Sequence, residues 1–143
     1  MNEIKALLYD SDFNTIKNFL SKTKSSEDLY LFAYNYNWEN GFEIPKIILN
    51  NEKCELSIAL LIFYRADGFR FLMEKSQNSD LTQWSCFIKQ LYDSILDGKY
   101  KKGVIGWNVP LSKIQSFKLQ KMLSECEKIF IENIAGKNLD IDL

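Results

Sequence analysis

Apolar residues recur at three- and four-residue intervals along most of the 143-residue chain. The pattern is clearest between Asp80 and Gly98, where the apolar positions are Leu81, Trp84, Ile88, Leu91 and Ile95. This spacing places apolar side chains on one face of an α-helix. Asp80 is expected to cap this helix at its start, and Gly98 is expected to end it.

The same period predicts helices in the rest of the chain, over about 12–22, 25–37, 45–49 and 54–67, and a pair of helices over 111–136. Asp10, Ser11 and Asp12 are candidate N-caps for the first of these helices, Ser25 or Ser26 is the candidate for the second, and Pro45 suits the first turn of a helix. Both faces of the 54–67 segment are apolar, which is typical of a buried central helix. Gly41 and Gly68 are expected to take left-handed backbone at helix ends.

The chain is therefore predicted to be all-α, a single compact domain over residues 1–143 with about six to seven helices. A chain of this length can bury about 68–70% of the surface that its unfolded form exposes, which is enough for one core. The polar, acidic tail over residues 137–143 is expected to fray. No apolar run approaches the roughly 20 residues that a membrane helix needs, and no signal-peptide core is present. We therefore expect a cytoplasmic protein with no membrane partner.

The chain contains no histidine. Histidine is the commonest general base near neutral pH and the commonest metal ligand, so many hydrolase mechanisms are excluded. The three cysteines, Cys54, Cys86 and Cys126, are widely spaced and predict neither a disulfide framework nor a zinc site. No cofactor and no metal site is expected.

Core packing is the favoured role for the cysteines, and more strongly for Cys86 and Cys126 than for Cys54. Cys54 follows Lys53 near a predicted helix start, which gives a reactive thiol some physical basis. Glu39 and Glu43 lie four residues apart, but Gly41 between them favours a solvated loop over a catalytic pair. An enzyme that uses these carboxylates or Cys54 remains the alternative to a binding protein.

Charge is distributed unevenly along the chain. Residues 1–97 carry a net charge of -4, and residues 98–143 carry +3. Within 98–121 there are six lysines and no acidic residue. The glycines of this segment lack the order of a phosphate-binding loop, because Val104 stands where lysine should follow Gly103. The near-neutral total argues against nucleic-acid binding as the main activity, although an accessory nucleic-acid-binding domain remains a second alternative.

Two tryptophans lie in turn-rich segments rather than on a predicted helical face. A large ring in a loop either fills the core or forms a binding hot spot. Core filling is favoured for Trp38, and the two roles are evenly balanced for Trp107.

Three segments together carry a family resemblance: 37–45, 50–57 and 59–68. They hold a tryptophan–glycine turn, a proline-started helix, an Asn-Asn and cysteine break, and an Ala-Leu-Leu helix ended by Ala-Asp-Gly. They resemble the bacterial family called domain of unknown function 4274, with a family-like core over 25–121. The resemblance implies an all-α fold and brings no catalytic mechanism. By analogy with small acidic proteins encoded beside bacterial toxins, it suggests an immunity protein that binds and blocks a toxin domain.

The sequence thus favours a non-enzymatic protein that binds a basic partner, as a monomer or weak dimer. The expected contact residues are acidic or aromatic and lie in turns: Trp38, Glu39, Glu43, Asp67 and Trp107.

Overall fold

The computed structural model describes residues 2–75 and 82–139. These ranges contain eight α-helices: α1 (Asn2–Asp10), α2 (Phe13–Lys22), α3 (Ser26–Asn35), α4 (Glu43–Asn50), α5 (Leu56–Arg65), α6 (Gly68–Glu74), α7 (Gln83–Leu96) and α8 (Lys113–Met122). They also contain two 3-10 helices, Trp38–Asn40 and Glu125–Ile131. The predicted all-α class is confirmed, and the helical elements outnumber the six to seven expected.

Helix α5 forms the centre of the molecule. Its residues from Leu56 to Phe63 are all buried, and α3, α4, α6 and α7 pack against it. Both faces of α5 are apolar, which suits a helix surrounded by other helices. A polar face at the centre of the molecule would bury groups without hydrogen-bond partners. Within the described residues, no helix is long and apolar enough to span a membrane.

Side chains fix the starts of several helices, and two of these caps are among the candidates that the sequence offers. Asp12 accepts a hydrogen bond from the Thr15 backbone N–H at 2.8 Å, and Ser25 accepts one from the Asp28 N–H at 3.2 Å. Helix α7 begins with Thr82 as its cap, which accepts from the Ser85 N–H at 3.0 Å. The expected cap, Asp80, lies outside the described residues.

Two helix assignments from the sequence need correction. Helix α1 was not predicted, although Ile4 and Leu7 are both buried on its inner face. At the α5–α6 corner the left-handed residue is Asp67, with φ 67° and ψ 43°, and not Gly68. Gly68 begins α6, and a Cβ atom there would overlap the Phe63 ring, so close packing explains this glycine.

The segment between α7 and α8 is held by backbone pairing with the C-terminal part of the chain. Trp107 and Ile134 exchange two hydrogen bonds of 2.9 and 2.8 Å, and Ile105 forms a bridge with Lys137. Lys137 also forms an ion pair with Glu27 at 2.8 Å. Lys137, the first residue of the tail that is expected to fray, is thus held by backbone hydrogen bonds and an ion pair, and residues 140–143 lie outside the described part.

Candidate binding site

A surface pocket of about 550 Å³ lies where α5 and α6 meet the loop that precedes α8. Its lining is rich in aromatic and apolar side chains: Tyr34, Leu61, Tyr64, Arg65, Asp67, Phe69, Trp107, Asn108, Pro110, Leu111 and Gln115. We call it the aromatic pocket. It brings together two of the residues that the sequence singles out, Asp67 and Trp107.

Asp67 forms the corner of the pocket between α5 and α6. Its left-handed backbone is uncommon for a residue other than glycine, although aspartate tolerates it better than most. The corner is over-determined, because the Asp67 N–H bonds the Tyr64 carbonyl at 3.1 Å and Gly68 packs against Phe63. The side chain is exposed, and among the described residues it has no ion-pair partner. The carboxylate thus projects from a backbone position that is fixed in a strained, left-handed conformation.

Tyr64 and Trp107 form one wall of the pocket. Their rings stack with centroids 6.2 Å apart and an angle of 25° between the planes. The Tyr64 hydroxyl donates to the Phe130 carbonyl, which fixes its ring, and burial raises the pKa of this hydroxyl. Trp107 is only 6% exposed and therefore does not present a free ring. It shapes the pocket wall instead.

Arg65 and Tyr34 form a further part of the lining. The Arg65 guanidinium lies 4.3 Å from the centre of the Tyr34 ring, a cation–π arrangement on the exposed side. Arginine, tyrosine and tryptophan are the residues that dominate binding energy at protein interfaces.

The other three expected contact residues lie elsewhere. Glu43 lines a separate groove between α4 and α7, together with Phe42. The groove consists of two adjoining recesses, of about 650 and 140 Å³, whose common lining residues are Lys46, Phe87 and Gln90. Trp38 is half-buried behind the groove, with its ring 6.2 Å from Phe42 and 6.3 Å from Phe87. Core filling, the favoured role for Trp38, agrees with this packing.

Glu39 and Glu43 form no paired site. Glu39 is exposed on the first 3-10 helix, whereas Glu43 forms an ion pair with Lys17 at 3.1 Å. Of the two, only Glu43 lines the groove. Of the five expected contact residues, the aromatic pocket therefore holds Asp67 and Trp107 and the groove holds Glu43, whereas Trp38 and Glu39 line neither.

The cysteines differ from expectation in their order of burial. Cys54 is buried, while Cys86 and Cys126 are exposed. Burial raises the pKa of the Cys54 thiol, and the nearby charge of Lys99 offsets only part of that effect. A nucleophilic cysteine requires a lowered pKa, so the alternative of an enzyme that uses Cys54 gains no support. Within the described ranges, no group of three histidine, cysteine, aspartate or glutamate side chains could hold a metal ion.

Three further lining residues could not be singled out from the sequence: Tyr34, Arg65 and Phe69. Tyr34 and Phe69 carry no local signal, since they are ordinary members of helical apolar patterns. Arg65 is one of two arginines in the chain, and this rarity was the only available hint.

Together the fold and the pocket define an all-α domain with a preformed, aromatic-lined recess on its surface. The chain belongs to the family described as domain of unknown function DUF4274, whose model matches residues 24–96, slightly more than half of the chain. The matched segment runs from the residue before Ser25 to the end of α7 and includes Asp67 but not Trp107. No curated protein and no solved structure matches the chain.

Proposed function

We propose that this protein is a non-enzymatic binding protein of the immunity type, which binds and blocks a toxin domain through the aromatic pocket. The observation that carries the proposal is the Asp67 carboxylate, which is exposed, free of ion pairs with the described residues and set at the edge of an aromatic recess. Such a group is suited to receive a lysine or arginine side chain from a partner.

The composition of the pocket supports a protein partner. Tyr34, Tyr64 and Arg65 supply an accessible part of the lining, and their side chains are already held in place, Tyr64 by stacking on Trp107 and Arg65 by its contact with the Tyr34 ring. A volume of about 550 Å³ accommodates a long side chain and its surroundings. A preformed recess of this kind reduces the ordering cost of association.

The distribution of charge supports a basic partner. Residues 1–97, which supply Asp67 and more than half of the pocket lining, carry a net charge of -4. Opposite charge on the partner accelerates encounter and favours the correct orientation. Arg65 is the one cationic residue in the lining. Its guanidinium lies over the Tyr34 ring, and it forms no ion pair with an acidic side chain among the described residues.

The proposal is tested with the protein encoded by the neighbouring gene. We expect the two proteins to co-purify and to bind in isothermal titration calorimetry at micromolar concentration or below. Asp67→Gly removes the carboxylate at a position whose backbone suits glycine, and we expect it to weaken binding about 10- to 100-fold.

Glu39→Gln is the matched control, because it removes one exposed carboxylate outside the pocket and should leave the affinity within about twofold. The absence of any complex at micromolar concentration would contradict the proposed function. A complex that Glu39→Gln weakens as much as Asp67→Gly would contradict the location of the site.

A further inference from the structure

The exposed face of α8 combines uncompensated positive charge with exposed apolar side chains. Lys113, Lys118 and Lys121 are all exposed on this helix. Between them, Phe117 is 57% exposed and Ile114 is 69% exposed, which is unusual for side chains of this size.

Nothing in the described part of the chain neutralises these lysines. The six ion pairs among the described residues use other cations: Lys17, Lys24, Arg70, Lys75, Lys89 and Lys137. The lysines at 99, 101 and 102 are exposed as well, and no acidic residue occurs between 98 and 121. The three α8 lysines therefore carry positive charge that no ion pair with a described residue offsets, on a chain whose total charge is -1.

The aromatic ring lies within this positive field. The Lys121 ammonium is 4.3 Å from the centre of the Phe117 ring. Because this ammonium lies over one face of the ring, a nucleotide would stack its base on the opposite face and place its phosphate against Lys121. Stacking on aromatic rings and ionic contact with phosphates are the two modes that bind single strands.

The shape of this face also bears on the kind of partner. Apart from Gln115, no residue of α8 lines any of the recesses described above. Ser112 and Gln115 cap the start of the helix reciprocally, because the side chain of each accepts a hydrogen bond from the backbone N–H of the other. These two N–H groups are therefore not available to a ligand. A cationic face that lies outside these recesses and carries an exposed ring suits a flexible polyanion whose bases can stack on that ring.

We propose that the α8 face binds single-stranded nucleic acid without sequence preference, with Phe117 as the stacking platform and Lys113, Lys118 and Lys121 as the phosphate contacts. This site is independent of the proposed function, because it uses different side chains from the aromatic pocket.

The test uses a fluorescein-labelled 20-nucleotide oligouridylate and fluorescence anisotropy. At low ionic strength we expect saturable binding with a Kd on the order of 10 µM, and a slope of about -2 for log K against log salt, from roughly three phosphate contacts. Lys113→Glu/Lys118→Glu/Lys121→Glu should abolish binding. Phe117→Ala should weaken it about tenfold with an unchanged salt slope, because the loss is of stacking and not of charge.

Lys5→Glu/Lys22→Glu/Lys53→Glu is the matched control, with the same change in net charge at exposed lysines on other elements. It should retain most of the binding. Circular dichroism establishes that each variant is folded. Four results would overturn the proposal: no binding of the oligouridylate, an equal loss in the control, an abasic strand that binds as well as the oligouridylate, or a tighter complex with poly-L-glutamate, which would point to an acidic protein partner.

Discussion

Tyr92 on α7 donates a hydrogen bond to Glu127 on the second 3-10 helix, and this contact joins two residues that are 35 positions apart in the chain. The Glu127 carboxylate is buried and also accepts from the Ser124 backbone and hydroxyl and from Lys75 at 2.9 Å. Burial alone would raise the pKa of this carboxyl. The hydrogen bonds from Tyr92, Ser124 and Lys75 outweigh burial and lower it to about 2.

This lowered pKa predicts an acid-sensitive contribution to stability. The carboxyl has a folded-state pKa of about 2 against an ordinary value of 4.5, so its contribution is fully present above about pH 4.5 and is lost as the pH falls through about 2. Glu127→Gln should lower the free energy of unfolding by about 2 kcal/mol at pH 7 and flatten the dependence on pH between 4.5 and 2. Urea unfolding followed by circular dichroism at a series of pH values measures both effects.

Glu125→Gln, on the same 3-10 helix and exposed, is the control and should change stability by less than about 0.5 kcal/mol. If Glu127→Gln lowered stability but retained the full acid dependence, another carboxylate would be responsible for it.

At the Asp67–Gly68 corner, substitutions at the two adjacent positions are expected to change stability to different extents. Asp67→Gly should leave stability within about 1 kcal/mol of the parent, because relief of the left-handed backbone offsets the greater freedom of the unfolded chain. Asp67→Ala keeps the strain, so it should be about 1 kcal/mol less stable than Asp67→Gly. Thermal unfolding measures these differences. If Asp67→Gly and Asp67→Ala were equally stable, the left-handed conformation of residue 67 would be in doubt.

Gly68→Ala should be severely destabilising, by about 2–3 kcal/mol, because its Cβ atom would overlap the Phe63 ring in the centre of the core. The matched substitution is Gly41→Ala, where the added Cβ atom meets no other atom within 4 Å and only the backbone at φ 91° resists it. Gly41→Ala should therefore cost about 1–2 kcal/mol. A larger effect at Gly41 than at Gly68 would contradict the packing at the α5–α6 corner.

These two glycines illustrate which structural features could be predicted from the sequence and which could not. Local chemistry is readable: Asp12 and Ser25 cap their helices, and Gly41 takes positive φ, because each depends on neighbours in the chain. Gly68 depends on where the Phe63 ring lies, which is a tertiary fact. Because Gly68 lies near a helix end, the sequence suggested left-handed backbone at this position, and that prediction was wrong.

The candidate site was less predictable than the helices for the same reason. The exposure of Trp107 is decided by its pairing with Ile134, 27 positions further along the chain. The order of burial among the cysteines is decided by which helix faces meet. Asp67 could be selected from its own position at a helix end, whereas Tyr34 and Arg65 join it only because α3 packs against α5.

The cysteines provide a direct test of these packing assignments. Ellman's reagent should titrate two thiols rapidly in the native protein, those of Cys86 and Cys126, and the third only after unfolding, because Cys54 is buried and its pKa is raised by that burial. Cys86→Ser and Cys126→Ser should each reduce the rapid phase by one thiol, and Cys54→Ser should leave it unchanged. Rapid reaction of all three thiols would show that Cys54 is accessible and would return it to consideration as a nucleophile.

Gly106 and Gly136 mark the point where the loop before α8 crosses the C-terminal segment. A Cβ atom on Gly136 would lie 2.6 Å from the Gly106 nitrogen and 2.8 Å from the Val104 oxygen, both of them backbone atoms that cannot rotate away. Gly136→Ala should therefore separate the segments, weaken the Trp107–Ile134 pairing and loosen the wall of the aromatic pocket. We expect a loss of about 2 kcal/mol in stability and faster amide hydrogen exchange at Trp107 and Ile134 than elsewhere.

Gly103→Ala provides the comparison, because the atoms that its Cβ would meet belong to the end of the Glu55 side chain, which can move. That movement would cost the hydrogen bond of 3.0 Å from the Ile105 N–H to Glu55, about 1 kcal/mol, and leave the pairing at Trp107 intact. Protection at Trp107 should therefore fall in Gly136→Ala and persist in Gly103→Ala. If protection were lost equally in both variants, the crossing of the two glycines would not be what holds the pocket wall in place.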